Sequence, residues 1–363
     1  MKNITFLLII AFIFMVPSLS LAQQSSDRQE QNKETKIEES QDQIKRPQTA
    51  KELIEYLKQR ALLKVKAKRK ERLLKIRLSA SVSYGFDTNV PQDSSTKGDY
   101  FEENYFNFSW QPTFNKYFGL KTGYWLLNDN YQEQTDFNFL DHALNFSLVF
   151  TPFETGRVKL EPGIEHEWVW CEKSSESNYV NQKYFFKFRQ YLGKEWDWNY
   201  GAGYEYADKI FDERKARDAD NTDTQSNRHD TRHTADIYVT KYWGKFNFTI
   251  RGRTYVNYSN EQYLEYYDYY SYRPSITIGR TFLKDDNLYI AFNPSFERKN
   301  YMHRTAINTA RFDNITSWAA SLYYTFKKPY TLTYQFVYRK LGSNEDTARY
   351  KTIINLMGIS VDF

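Results

Sequence analysis

Acidic and basic side chains recur at alternate positions in two separate stretches of this sequence. Side chains two positions apart lie on the same face of a β-strand, so each stretch predicts a row of like charge on one face of a sheet. Such rows attract ions of the opposite sign, which is the chemistry of binding and steering charged solutes. The acids of the first stretch are Asp141, Glu161, Glu165 and Glu167, the bases of the second are Arg251, Arg253 and Arg273, and Lys187 and Arg189 lie between them.

A second group could carry acid–base chemistry, and its members are His229, Asp230, His233 and Asp236. An Asp–His pair can activate water, but this spacing matches no strong motif, and we expect the chain not to be an enzyme. His142 and His166 have no third ligand beside them, which makes them a poor metal site. The sequence predicts no metal and no cofactor.

The elements that would position these residues are β-strands with alternating polarity. In the clearest of them one face carries Val158, Leu160, Ile164, Trp168 and Trp170, and the other carries Lys159, Glu161, Gly163, Glu165 and Glu167. Aromatic residues make up 18% of the chain although its mean hydropathy is −0.76, so apolar and polar residues are interleaved. This pattern predicts an all-β, antiparallel, up-and-down transmembrane barrel, with one face of each strand towards lipid and the other towards a polar lumen.

The connections between these strands alternate in length. Short turns are expected near Phe114–Tyr117, Thr151–Gly156, Gly193–Glu195, Trp243–Lys245, Phe282–Asn287 and Lys327–Tyr330. Longer polar loops lie between them, and Asp208–Arg232 is expected to be the longest and most charged. The alternation predicts about 14 strands, with both termini in the periplasm. Two stacked soluble sheets are the alternative, but Trp and Tyr near the strand ends favour the aromatic girdles of a membrane barrel.

The segment before the barrel divides into three parts. Residues 1–22 read as a signal peptide, with Lys2 before an apolar run and a small-residue cleavage site. Residues 23–49 are polar and predict a disordered tether. Residues 50–74 predict a basic amphipathic helix, a short helical segment in the periplasm that could engage a partner there, plug the lumen or contact anionic head groups. The barrel itself is expected over residues 75–363.

Inside such a barrel, the charge rows admit two interpretations. Strands nine and ten would lie roughly across the lumen from strands four and five, so an arginine wall that attracts anions could face an acidic wall. Folding the hairpin about residues 260–264 brings Arg251 close to Arg273, which is unfavourable unless something neutralises them. The other interpretation is ordinary salt bridges, namely Asp236 with Arg251 or Arg253 and Glu165 with Lys187.

Aromatic and histidine residues at the strand ends also admit two interpretations. His142 and His166 could contact lipopolysaccharide phosphates or belong to the interfacial girdle, which is favoured. A run of tyrosines could form a sugar-binding track or a girdle, and the girdle is favoured because alternate members must face lipid. The run consists of Tyr263, Tyr266, Tyr267, Tyr269, Tyr270 and Tyr272.

Two local patterns resemble known families. The segment Ile359–Phe363 alternates and ends in Phe363, which resembles the assembly signal of most bacterial outer-membrane barrels. The segment Tyr84–Val90 resembles the first strand and loop of porin families and, more weakly, of the barrel in surface lipoprotein assembly modifiers. The first resemblance implies recognition of the C-terminal strand by the barrel-assembly machinery, and the second implies a diffusion channel.

These observations together predict a channel in the bacterial outer membrane for small hydrophilic solutes. The arginine wall would favour anionic solutes among them. A barrel that translocates or assembles surface proteins is the alternative function. The expected partners are outer-membrane lipids, lipopolysaccharide, the assembly machinery and the solutes. The net charge of +5 is small for the length and gives no support for nucleic-acid binding.

Overall fold

The structure, a computed structural model, describes residues 75–92, 96–153, 157–173, 175–193, 197–263, 267–283, 287–306 and 309–363. Within them the chain forms one closed antiparallel barrel in which each strand pairs with its neighbours in sequence and β1 pairs with β14. The predicted fold class and the strand number of 14 are confirmed. The signal peptide, the tether and the basic helix fall outside the described residues.

The strands vary in length around the barrel. Their bounds are β1 Ile76–Asp87, β2 Asp99–Trp110, β3 Phe118–Tyr131, β4 Phe139–Phe150, β5 Val158–Cys171, β6 Tyr179–Tyr191, β7 Trp198–Arg217, β8 Asp223–Trp243, β9 Phe246–Ser259, β10 Tyr269–Phe282, β11 Leu288–Ala306, β12 Thr309–Lys327, β13 Tyr330–Ser343 and β14 Tyr350–Asp362. Short 3₁₀ turns lie at Thr135–Phe137, Ser175–Ser177 and Asp346–Ala348. No helix among the described residues is long and apolar enough to cross a membrane.

The predicted short turns all lie at one end of the barrel. They connect β2 to β3, β4 to β5 and so on to β12 and β13, and we call this end the turn end. The opposite end, which carries the other connections, is the loop end. One predicted loop is wrong: most of Asp208–Arg232 is paired strand, because β7 runs to Arg217 and β8 starts at Asp223. The polarity alternation continues into this segment, where Lys209 lies opposite Asn181 on β6 and Asp230 on β8.

The barrel closes where the first strand meets the last. The pairing of β1 with β14 runs from Ser79 opposite Asp362 to Asp87 opposite Ile354. Phe363 extends this ladder, since its backbone N–H donates to Leu78 O at 2.8 Å and its carbonyl accepts from Leu78 N at 3.0 Å. The last residue of the chain therefore forms part of the seam, which agrees with an alternating strand that ends in Phe363.

The outward face of the barrel is apolar and fully open to its surroundings. Large side chains such as Ile237 and Trp318 are 66% and 51% exposed, and exposed large apolar side chains occur on every strand except β3. A soluble protein rarely exposes a continuous apolar surface of this kind. A closed barrel with this outward face is the architecture of an integral outer-membrane protein, in which hydrocarbon covers the apolar band.

Inward glycines let large lumen side chains lie against the wall. A Cβ on Gly163 would come within 2.4 Å of Phe185 Cζ and 2.7 Å of the Phe146 carbonyl oxygen. By contrast, the nearest atom to a Cβ on the outward Gly252 is Ile237 Cγ1, at 3.8 Å. The inward position thus requires glycine, and the outward position does not.

We predict that Gly163→Ala destabilises the refolded barrel by about 2 kcal/mol, because Phe185 and the backbone of β4 must move apart. Gly252→Ala is the matched control and should change stability by less than about 0.5 kcal/mol. Urea unfolding in detergent micelles measures both, and equal stability of the two variants would contradict the packing around Gly163.

Candidate functional site

A cavity of about 630 Å³ lies in the lumen against strands β6 to β10. We call it the basic cavity, because six of its charged side chains are bases and two are acids. The bases are Lys187, Arg189, Arg232, Arg251, Arg253 and Arg273, and the acids are Glu205 and Asp236. The structure thus brings five of the predicted lumen residues, from two distant parts of the sequence, into one site.

Strand register explains why three of these bases lie in one cross-strand row. Lys187 lies opposite Gly203, Gly203 opposite Asp236, Asp236 opposite Arg253, and Arg253 opposite Arg273. Gly203 leaves room in this row, since a Cβ there would meet Asp236 Oδ1 at 2.4 Å. The Asp236 carboxylate can therefore lie against β7 and leave the centre of the lumen to the bases.

Among Arg251, Arg253 and Arg273, only Arg251 lies within ion-pair distance of a described acid. Arg251 Nε lies 3.4 Å from Asp236 Oδ2, which confirms that part of the salt-bridge interpretation. Arg273 donates from Nη2 to Ser295 Oγ at 3.4 Å, and the buried Nε of Arg253 has no hydrogen-bond partner among the described residues. Arg253 and Arg273 form no ion pair with a described acid, so their charge is available to a solute.

The predicted pairing across the β9–β10 hairpin needs correction. Arg273 lies directly opposite Arg253, whereas Arg251 lies opposite Ser275. Arg253 and Arg273 are symmetric about residue 263, so the hairpin is centred one residue beyond the middle of the predicted 260–264 turn. The like-charged pair is therefore Arg253 with Arg273.

The acids on β5 are neutralised by bases on their own side of the barrel. Glu161 contacts Lys121 and Arg189, each at 3.2 Å. Lys183 contacts Glu165 at 2.8 Å and Glu167 at 3.1 Å. The interpretation of an uncompensated acidic wall is therefore wrong for these three carboxylates, because each has a cation within ion-pair distance.

Two details of this side differ from the expectations. Glu165 pairs with Lys183 and not with Lys187, since Lys183 is its direct cross-strand partner. Lys187 lies opposite Glu161, and its Nζ is 4.1 Å from the centroid of the Phe185 ring. Asp141 also faces inward, between Leu127 and Val169, and its buried Oδ1 has no hydrogen-bond partner among the described residues.

The loop end of the lumen contains a layer of stacked cations and rings, which we call the cation–ring layer. Arg228 lies 3.2 Å from the centroid of the Tyr267 ring and 4.5 Å from that of Phe211. It also contacts Asp230 at 2.6 Å, and Lys209 Nζ lies 3.5 Å above the Tyr179 ring. Arg228 and Phe211 are both buried, so this layer fills space on the inward side of β6 to β8.

The connection from β9 to β10 is fixed to this layer by polar contacts. Ser259 Oγ donates to Asp230 Oδ1 at 2.6 Å, and Arg217 Nε contacts the fully buried Glu261 at 2.8 Å. The carboxylate of Asp268 accepts the Ser259 backbone N–H at 2.7 Å. Burial raises the pKa of Asp268, with a smaller contribution from the Asp230 carboxylate, although the Ser259 hydrogen bond opposes the rise.

Several of these residues were not singled out in the sequence. Lys121, Lys183 and Arg232 occupy inward positions of their strands, so the alternation alone could have identified them. Arg228 could not be identified in this way, because it was assigned to a loop, and Tyr267 was singled out only as a member of the tyrosine run. The tyrosine run divides as its alternation predicts, since Tyr270 and Tyr272 are exposed outside and Tyr269 packs inside against Tyr255 and Tyr301.

The acid–base group on β8 is divided between the two faces of the wall. Asp230 and Asp236 face inward, and His229 and His233 face outward. His229 contacts Asp208, and His233 Nδ1 lies 2.8 Å from the Tyr204 hydroxyl, both on the outer surface. No Asp–His pair forms within the group, because adjacent residues of a strand point to opposite faces.

His142 and His166 lie in an outward aromatic cluster. The His142 ring stacks on Trp168 and Trp170, with centroids 5.0 and 4.8 Å apart, and His166 contacts Trp168. Within the described ranges, no group of three or more His, Cys, Asp and Glu residues is placed to hold a metal ion. The arrangement is that of an interfacial girdle, in which amphipathic rings lie at head-group level.

Comparison with known proteins gives similarity in structure only. No protein-family model matches the chain, and no curated protein matches its sequence. The solved structure of a bacterial polysaccharide outer membrane secretin is similar over 80% of this chain and 99% of its own, with 10% identity and a TM-score of 0.47. Similarity also extends to an outer membrane channel from Pseudomonas putida F1, which is 12% identical over 80% of this chain and 96% of its own, with a TM-score of 0.45. Pseudomonas aeruginosa OccK1 is 8% identical over 80% of this chain and 100% of its own, with a TM-score of 0.40. Likeness at this level assigns neither a solute nor a partner to this chain.

We predict that Lys183→Gln destabilises the barrel by about 2 kcal/mol, because it leaves Glu165 and Glu167 adjacent without a cation. Lys187→Gln is the matched control on the same strand and the same face, and it breaks no ion pair. Unfolding in urea compares the two, and a loss of the same size in Lys187→Gln would contradict the assigned role of Lys183.

We also predict that Tyr267→Ala raises the single-channel conductance of the refolded protein, since it removes the ring that holds Arg228 in the cation–ring layer. The outward Tyr270→Ala provides the control, because its side chain does not enter the lumen. Recordings in planar bilayers test this, and conductance that is equal in both variants would show that the layer does not limit the current.

Proposed function

We propose that this protein is a channel through which small hydrophilic anions cross a bacterial outer membrane. One observation carries the proposal: the basic cavity places six bases and two acids around open space inside a closed barrel. Rings of Arg and Lys are the means by which pores favour anions, because they offset part of the cost of removing water from the ion. The proposal involves no catalytic step, metal or cofactor.

The width of the barrel supports a passage. Side chains fill eight-stranded barrels, whereas barrels of sixteen strands or more leave an aqueous channel. With 14 strands this protein lies between them, and its lumen is packed at the cation–ring layer and open at the basic cavity. We infer a channel of restricted width, in which the basic cavity is the selective region.

The orientation follows from the lengths of the connections. Outer-membrane barrels place short turns in the periplasm and longer loops outside the cell. In this orientation both termini of the chain lie in the periplasm, and a solute from outside meets the cation–ring layer before the basic cavity. The C-terminal strand with Phe363 is then available to the barrel-assembly machinery during insertion.

The charges at the cavity give a measurable expectation. Two unit charges about 5 Å apart in water interact by about 0.8 kcal/mol, which corresponds to about a fourfold change in an equilibrium or a permeability ratio. We predict that the double variant Arg253→Gln/Arg273→Gln lowers the ratio of chloride to potassium permeability by about fourfold or more. The reversal potential under a salt gradient in planar bilayers measures this ratio, and low salt is preferred because it limits screening.

The matched control removes the same charge from the turn end of the wall. Lys327 is the last residue of β12 and Lys328 follows it in the turn to β13. Both are exposed and neither lines the basic cavity, so Lys327→Gln/Lys328→Gln should leave the permeability ratio unchanged. A ratio that is unchanged in both double variants would reject the selective role of the basic cavity. Absence of current at any voltage would reject the channel and favour the alternative of a barrel that handles proteins.

A further inference from the structure

Outward charges at the loop end are distributed unevenly around the barrel. Towards the loop end, the outward row of aromatic side chains on β11 ends at Phe296, and the next outward residue is Arg298. On β13 the row ends at Tyr338, and the next outward residue is Lys340. Lys351 on β14 lies directly opposite Lys340. We call these three bases the basic rim patch. The described outward positions of β11 to β14 contain no Asp or Glu, whereas β7 and β8 carry Asp208 and His229 at the same end.

The described residues offer the basic rim patch no compensating charge. Lys340 and Lys351 are both exposed and face each other across neighbouring strands, which is unfavourable for like charges. None of the three bases forms an ion pair with a described residue, although twelve such pairs occur elsewhere in the described chain. An anion outside the protein would relieve this repulsion.

Neighbouring side chains hold one of these bases ready for an acceptor. Arg298 donates from Nε to Asn300 Oδ1 at 3.1 Å and from Nη1 to Asn314 Oδ1 at 3.5 Å. Its guanidinium lies 4.2 Å from the centroid of the Phe312 ring, which fixes the plane of the group. These contacts leave Nη2 without a partner among the described residues. A planar guanidinium positioned in this way is suited to a phosphate oxygen.

The position of the patch identifies the kind of partner. The outward side chains immediately towards the turn end are Phe296, Trp318 and Tyr338, and the Trp318 ring packs at a tilt against that of Tyr338 with centroids 5.7 Å apart. This apolar surface faces hydrocarbon, so the bases beside it lie at the level of the lipid head groups. A partner must therefore combine acyl chains with clustered phosphates at one depth.

We propose that the basic rim patch binds the phosphates of a phosphorylated glycolipid of the outer leaflet, the lipid A part of lipopolysaccharide. This rests on the proposed orientation, which places the loop end outside the cell. The phosphates accept hydrogen bonds from Lys340, Lys351 and Arg298, and the acyl chains lie along the aromatic surface below them. Charge-assisted hydrogen bonds of this kind are about twice as strong as neutral ones.

The test uses the refolded full barrel and three probes: bisphosphorylated lipid A, the same glycolipid without its phosphates, and phosphatidylglycerol. Native mass spectrometry of detergent-solubilised protein titrates each lipid. The variant Lys340→Gln/Lys351→Gln should bind bisphosphorylated lipid A about tenfold more weakly than the unmodified chain, since it removes two charged donors. Lys327→Gln/Lys328→Gln, with the same charge change at the turn end, should bind as the unmodified chain does.

Three results would overturn the proposal. The first is equal affinity of both double variants for bisphosphorylated lipid A. The second is an equal loss of phosphatidylglycerol binding, which would indicate a general attraction to anionic lipids. The third is tight binding of the phosphate-free glycolipid that the Lys340→Gln/Lys351→Gln variant retains.

Current recordings separate this proposal from the proposed channel function. In bilayers of neutral phospholipid the Lys340→Gln/Lys351→Gln variant should keep the conductance and the permeability ratio of the unmodified chain, because its substitutions face lipid. Loss of lipid A binding with an unchanged current supports the lipid site alone. A failure of the basic cavity to select anions would leave that result unaffected.

Discussion

Backbone hydrogen bonding in the absence of water is the constraint on which this structure depends. In hydrocarbon every backbone N–H and C=O must find a partner within the protein, and a sheet achieves this only by closing on itself. Here closure is completed by the pairing of β1 with β14, which Phe363 extends by two backbone hydrogen bonds to Leu78. The same closure fixes which side of each strand faces lipid, so it also decides which side chains meet in the lumen.

In a closed wall whose outer face lies in hydrocarbon, charged side chains must point into the lumen, and their charge must be compensated there. Carboxylates on β5 meet this requirement locally, as Glu161 does with Lys121 and Arg189. Arg253 and Arg273 do not, because their neighbours in the row are each other and an aspartate that lies nearer Arg251. Uncompensated charge in a water-filled space costs little, whereas its field acts on any ion that enters. Charge is therefore distributed unevenly along the lumen, and the unpaired positive charge is concentrated at the basic cavity.

Alternating polarity, together with the lengths of the connections, was sufficient to predict the barrel, the strand number and the inward position of the charged residues singled out on β4, β5, β6, β9 and β10. It was insufficient for pairing, because pairing depends on where each hairpin folds. A hairpin centred one residue further along moves every cross-strand partner by two residues. This explains why Arg273 meets Arg253 and not Arg251. Glu165 meets Lys183 and not Lys187 because the pairing of β5 with β6 sets Lys183 directly opposite it and Lys187 opposite Glu161. Residues that act outside the regular wall, such as Tyr267 on Arg228, depend on tertiary contacts with no periodic signal in the sequence.

The cation–ring layer and the basic cavity place their cations in different surroundings. In the proposed channel, this separates the residues that limit the passage of solutes from those that select among them. In the cation–ring layer Arg228 is buried between aromatic rings and paired with Asp230, so its charge is satisfied and its volume narrows the passage. In the basic cavity Arg253 and Arg273 have no acid partner among the described residues and line open space, so their charge acts while their volume obstructs little. A substitution in the layer should change how fast solutes pass, and one in the cavity should change which solutes pass. The cation–ring layer and the basic cavity share strands of the wall, since β8 carries both Arg228 and Asp236. The rigid wall therefore holds the layer and the cavity in a fixed position relative to each other.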